Sequence, residues 1–200
     1  MKPFAESSEQ NKHAILSVLQ EEFCSVKTVL EIASGTGQHA VYFAAQLPHL
    51  TWSTSELPEL HAGIRAWLTE ANNPRINGPH PINVNQSDWP IEQVDAVFSA
   101  NSAHIMSWPS VINMFRGIGR ILSPSGIFCL YGPFLYADRH TADSNQRFDV
   151  WLKQRDPESG IRDVEALKKL GLTNNLVLLR DHEMPVNNRL LVWQKSAPDK

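Results

Sequence analysis

The stretch VLEIASGTGQHA, residues 29–40, decides how the rest of the chain is read. It starts as a short apolar strand and reaches an acid, Glu31, at the strand's end. The loop that follows, Gly35-Thr36-Gly37-Gln38-His39-Ala40, fits the dinucleotide pattern G-x-G-x-x-G/A. Gly35 and Gly37 permit positive φ and let a ligand come close to the backbone. A bare G-x-G also serves as a tight strand-to-helix turn with no ligand. The flanking residues have to decide between these uses.

Upstream of the loop, Ile15, Val18, Leu19 and Phe23 recur at helical spacing, and Ser7 with Gln10 has the form of a capping box ahead of them. This N-terminal helix, within residues 1–24, is a candidate lid. Strand KTVLEIA (27–33) leads into the loop, and a helix carrying Val41, Phe43, Ala44 and Leu47 follows it. LTWST (50–54) is a second strand and ELPELHAGIRAWLTEA (56–71) a second helix, with Pro58 in its tolerant first turn. NNPRINGPHP (72–81) has turn chemistry, INV (82–84) is a weak third strand and VDAVFSA (94–100) a clear fourth. Residues 107–122 put Val111, Met114, Phe115, Ile118 and Leu122 on one stripe, with Ser107 as cap. IFCLYG (127–132) is a continuous apolar run, as expected of a strand covered on both faces.

Two polar helices, roughly 143–154 and 162–170, precede the strands NLVLLRDHEM (175–184) and RLLVWQK (189–195). So short a link requires an antiparallel pair, because parallel neighbours need a crossover. Five βα units and this hairpin predict an α/β domain spanning residues 1–200. Its expected core is a doubly wound, Rossmann-like, seven-stranded and mostly parallel sheet with helices on both faces and an antiparallel terminal hairpin strand.

Bulk properties narrow the partners. A net charge of −3 with no Lys/Arg run gives no footprint for nucleic acid or an anionic membrane. No apolar run reaches the ~18 residues of a membrane span. The N-terminus is too polar for a signal peptide. Cys24 and Cys129 lack metal-ligand spacing and read as small buried hydrophobes, and the eight histidines form no H-x-x-x-H pair, so no metal site is expected. A reduced, cytoplasmic chain is expected, with disorder only at ends such as 196–200.

Two acids bear on the ligand. Glu31 is awkward for a pyrophosphate, which wants positive potential, and suits a ligand with an ammonium group. Glu56 follows strand two, 21 residues after Gly35, where a carboxylate accepts both ribose hydroxyls; NAD enzymes use the same device. Glu56 is alternatively an acid at a helix N-terminus.

E-x-x-x-G-x-G after strand one, an acid after strand two and a reversed last strand resemble class I S-adenosylmethionine-dependent methyltransferases. ESSEQNKHAIL (6–16), LEIASGTGQHAVYFA (30–44), DWP (88–90), VFSANSAHIMSW (97–108), LYGPF (130–134), SNQRFDVWL (144–152), GIRDVEAL (160–167) and MPVNN (184–188) resemble, in this order, the methyltransferase-like 26 type family. That family was long catalogued as a domain of unknown function. The resemblance implies S-adenosylmethionine as cofactor. Glu31, Ala33, Ser34, Gly35, Thr36 and Gly37 would surround its methionine end, and Glu56 its ribose. Asn83 and Val84 would flank the adenine, with Asp88 or Trp89 nearby. Ala33 stands where the wider class pattern has its first glycine. Asn83 replaces the acid of the family's L-D-V triplet and carries no charge.

Strand four ends at ANSAHIMSW, so Asn101 and His104 stand where this fold places the reactive methyl. A neutral His104 has the chemistry to take a proton from an attacking O or N nucleophile, and Asn101 to orient the ligand; loop capping is the alternative for both. Tyr131 and Phe134 wall the same cleft or join the core. Phe148, Trp151 and Leu152 share one helix face and read as core. Asn145, Arg147 and Asp149 point either to the cleft or to water, Asp163 suits a helix N-terminus, and Asn187 and Asn188 suit a turn. The leading expectation is a small-molecule methyltransferase. A non-catalytic binding protein on the same fold and an NAD-dependent oxidoreductase are the alternatives.

Overall fold

The computed structural model describes residues 2–197. Along the chain run α1 (Glu6–Glu22), β1 (Thr28–Glu31), α2 (Gln38–Gln46), β2 (Thr51–Glu56), α3 (His61–Ala71), β3 (Ile76–Pro81), β4 (Val94–Ala100) and α4 (Trp108–Ile121). Then come β5 (Leu122–Gly132), β6 (Phe134–Tyr136), β7 (Arg139–His140), α5 (Asp143–Arg155), β8 (Arg162–Asp163), α6 (Val164–Leu172), β9 (Leu176–Met184) and β10 (Asn188–Lys195). Seven strands form one sheet in the order β3-β2-β1-β4-β5-β10-β9. The first five are parallel, and β10 is antiparallel to both of its neighbours, β5 and β9. The strand order reverses between β1 and β4, which opens a crevice at the carboxyl ends of those two strands.

Period-2 alternation sorts the central strands between two cores. Leu30, Val97, Phe128, Leu130, Leu191 and Trp193 face α4 and α6, whereas Val29, Ala96, Phe98, Cys129, Tyr131, Leu190 and Val192 face α1 and α2. Both faces are covered, which is why these strands read as near-continuous apolar runs. The stripe of α4 buries Val111, Met114, Phe115 and Ile118. Ser107 caps that helix by accepting the Ser110 N–H, as its sequence predicts.

Several expectations are corrected. The third strand is Ile76–Pro81, inside the stretch read as turn, and 82–84 lies beyond it. β3 is an edge strand that needs ladder partners on one side only, so Pro79 and Pro81 are tolerated there. No helix joins β3 to β4, so there are four rather than five strand–helix units in the parallel part. Ala5, not Ser7, is the N-cap of α1, with no side-chain cap; its N–H donates to Gln38 Oε1 at 2.6 Å instead. Cys24 is exposed, because it lies in the turn after α1, and only Cys129 is buried. A second small sheet, β7-β6-β8, was not foreseen; its strands are two or three residues long, below any periodic signal. The Ser196 N–H still donates to Asn175, while the expectation for 198–200 lies outside the described residues.

Candidate active site

The loop after β1 is held rigidly. Ser34 exchanges bonds with β2: its N–H donates to Ser55 O at 3.0 Å, and its Oγ accepts the Ser55 N–H at 3.1 Å. The Ser55 hydroxyl in turn donates to Glu31 O at 2.7 Å. Gly35 and Gly37 adopt φ of 59° and 88°, and a Cβ on Gly37 would meet Ile64 of α3 at 3.2 Å. Ala33 is also at positive φ, 58°, where an L-residue is strained by about 1–2 kcal/mol. It occupies the place where the methyltransferase pattern has glycine.

This loop borders a cavity of about 790 Å³. Ala33, Ser34, Gly35, Thr36, Glu56, Asn83, Val84 and Asn101 all line it. Glu56 Oε2 accepts the Gly35 N–H at 3.1 Å, across the mouth of the loop. Asn83 turns its Oδ1 onto the Asn85 N–H, leaving its amide N–H groups available to a ligand. Glu56 and Glu59 are the only charged side chains on the wall among the described residues; no Lys or Arg lines it. The N-terminal segment closes one side with Pro3, Ala5, Ser7 and Ser8.

Glu31 lies beneath the loop rather than on the cavity wall. It is 2% exposed and points to the α1/α2 face of the sheet. Burial pushes its carboxyl up to about 7, against the opposing effect of a hydrogen bond from Trp52 Nε1 at 3.1 Å; the nearby Glu56 charge adds to the rise. At neutral pH this carboxyl titrates easily, and a cation brought above it would return it to the charged form.

A second cavity, about 630 Å³, shares Ser7, Asn101 and Ile105 with the first. His104 and Tyr131 line this one. Asn101 stands at the seam, at φ 55°, its N–H donating to Tyr131 O at 2.9 Å. Burial pulls the His104 imidazole down to about 4, helped by the positive fields of Arg162 and Arg155, so the ring is neutral at pH 7. Burial raises the Tyr131 hydroxyl, which lies beside the Asn188 and Asn11 side chains.

Other candidates lie elsewhere. Trp89 is not on either wall; it fills the space over Gly117 of α4, where a Cβ would meet the indole at 2.2 Å. Phe134 belongs to the core. Asp149 is buried, accepting the Ile161 N–H at 2.8 Å and pairing with Lys153 at 2.7 Å, and Arg147 is exposed. Asp163 caps α6 by accepting the Glu165 and Ala166 N–H groups. Asn187 sits in a turn at φ 58°, while Asn188 reaches the second cavity. Phe148 and Trp151, read as core, are cavity residues, and only Leu152 of that trio is fully buried.

Sequence reasoning missed His39 and Arg155. His39 lines the first cavity and is drawn down to about 4 by burial. Its ring bonds Asn11 Oδ1 at 2.8 Å and the Ser8 carbonyl, tying α2 to α1. It lay in plain view inside the quoted loop, but only the partners across space mark it out. Arg155 ends a polar helix, where a cation is ordinarily a dipole partner.

Solved structures share this fold. An O-methyltransferase family protein from Burkholderia thailandensis aligns with a TM-score of 0.82 at 16% identity, over 94% of this chain and 57% of that one. Human N-acetylserotonin methyltransferase, solved in complex with S-adenosylmethionine, aligns at 0.83 and 14%, over 96% and 53%. An O-methyltransferase family 2 protein from Planctomyces limnophilus, in complex with apigenin, gives 0.83 and 14%, over 94% and 57%. This chain spans little more than half the length of these neighbours. At the level of sequence, residues 2–195 match the family described as "Protein of unknown function (DUF938)", and the chain therefore belongs to the DUF938 family.

Proposed function

We propose that this protein is an S-adenosylmethionine-dependent methyltransferase acting on a small molecule, of the methyltransferase-like 26 type. The observation that carries the reading is the charge of the first cavity. Among the described residues two carboxylates and no cation line it, with a third carboxyl buried under the glycine loop. A dinucleotide's pyrophosphate is poorly served there, whereas a ligand with an ammonium group, a sulfonium and a ribose is well served. The antiparallel β10 between β5 and β9 also departs from the all-parallel dinucleotide sheet.

In this reading Glu56 accepts the ribose hydroxyls, and the loop from Ala33 to Gly37 follows the methionine end. Glu31 supplies negative field from below, and Asn83 and Val84 flank the adenine. When bound, the cofactor supplies a methyl group on a good leaving group, so positioning accounts for much of the rate. Asn101 orients the two ligands at the seam. Neutral His104 and Tyr131 hold the acceptor by hydrogen bonds, with His104 the available proton acceptor for a nucleophile that needs one. The segment before α1 and its first turn serve as lid.

Thermal unfolding with S-adenosylhomocysteine, S-adenosylmethionine and NAD tests this. The expected result is a Tm rise with the first two, no rise with NAD, and at least about tenfold weaker binding in Glu56→Ala. A Tm rise with NAD only contradicts the proposal.

A further inference from the structure

The second cavity has its own chemistry, opposite in sign to the first. Arg155 is its one charged wall residue among the described residues, and no carboxylate lines it. Tyr131, Phe148 and Trp151 make much of its apolar surface aromatic. Phe148 and Trp151 stack on one another at 5.8 Å with 15° between their planes, and Arg155 lies over the Trp151 ring at 5.0 Å. His104 meets Phe148 edge-on at 5.3 Å. Trp151 is 49% exposed, a large aromatic surface left to solvent on a helix whose buried side chains are Asn145, Asp149 and Leu152. Across the opening stands Val186, 80% exposed and at φ 59°. A β-branched residue is a genuine outlier in that region, and its strain holds an apolar side chain at the cavity mouth.

We infer that the second cavity binds a planar aromatic anion, with the ring against Phe148 and Trp151 and the charged group on Arg155. This rests on the methyltransferase reading in one respect only: it makes that anion the methyl acceptor, a lone pair of the anion forming the new bond to the sulfonium methyl as the S–C bond breaks and S-adenosylhomocysteine leaves as a neutral thioether. The charge split across Asn101 supports it. A cationic ligand is favoured on one side of the seam and an anionic one on the other, so each attracts its proper occupant and repels the other's. The basicity of His104 agrees. Held near 4 by burial and by two arginines, it is a weak base, and a ligand already ionised asks little of it. Arg suits this role better than Lys, because its planar fork both stacks on an indole and meets a carboxylate with two N–H groups.

The test uses matched probes: benzoate, 4-hydroxybenzoate and cinnamate against their neutral amides, with cyclohexanecarboxylate as a non-planar acid. Binding is measured by calorimetry and ligand-observed NMR on the full chain, with and without S-adenosylhomocysteine. The aromatic acids should bind about tenfold tighter than their amides and than the non-planar acid. Arg155→Gln should remove the preference for the acids while leaving amide binding in place, and Arg155→Lys should keep part of it. Arg155 is an exposed side chain, so these variants are expected to fold, and circular dichroism checks this. Equal binding of acids and amides, failure of all aromatic acids to bind, or a preference that survives Arg155→Gln would each overturn the inference. S-adenosylhomocysteine binding is read in the same titrations. Its absence would defeat the cofactor reading alone, and its presence without aromatic-acid binding would defeat this inference alone.

Discussion

Glu31 illustrates a residue kept where it costs stability. Its carboxyl is buried, with side-chain hydrogen bonds from Trp52 and Ser34 that only partly offset the burial, and titrates near 7 rather than at its ordinary 4.5. A carboxyl raised by folding makes the native state bind more protons than the unfolded chain between those values. Its contribution is therefore neutral below pH 4.5, grows more destabilising as pH rises from 4.5 to 7, and levels off above 7 at about 3 kcal/mol. Glu31→Gln keeps an oxygen for the Trp52 N–H and carries no charge. Urea unfolding should show the variant matching the parent near pH 4 and exceeding its stability by up to that amount at pH 8. The same variant should bind S-adenosylmethionine at least about tenfold more weakly. A stability difference that does not change with pH would contradict the account of Glu31.

At the scale of elements, α1 is tied to the loop-bearing helix α2 by polar contacts as well as by apolar ones. Ala5 N–H donates to Gln38, and His39 bonds both Asn11 and the Ser8 carbonyl. Farther along α1, Ile15, Leu16 and Leu19 are buried in the core. The first two turns therefore depend on the polar ties and the rest of the helix on packing. His39→Leu should speed amide hydrogen exchange across 6–12 by about tenfold or more, while 14–22 and α4 keep their protection. Uniform loss of protection along α1 would show that it moves as one piece.

The same division explains what was legible in the sequence. α4 announces itself through an apolar stripe at 3.6-residue spacing and a Ser cap, and β5 through an unbroken apolar run. β3 does not, since INGPHP is an edge strand whose prolines and glycine mimic a turn. The glycine loop and Glu56 were legible as candidates for a cavity wall because a βα loop has local rules. The second cavity was not. Phe148 and Trp151 share the helical spacing of a core stripe, and only the packing of α5 shows that they face open space while Leu152 turns inward. Trp89 failed in the other direction: it neighbours the cleft in sequence but is committed to Gly117.

For the whole molecule, the arrangement is two cavities joined at Asn101, acidic on one side and basic on the other. The sheet builds this geometry directly. The first cavity follows β1 and β2 and the second follows β5 and precedes β10, with the end of β4 between them. A crystal structure of the complex with S-adenosylhomocysteine would show whether the cofactor and acceptor cavities meet at Asn101. The account predicts the ribose hydroxyls on Glu56, the amino group over Glu31, and the sulfur beside Asn101 facing the cavity lined by His104 and Tyr131. A ligand bound away from the glycine loop, or one whose sulfur faces away from that second cavity, would contradict it.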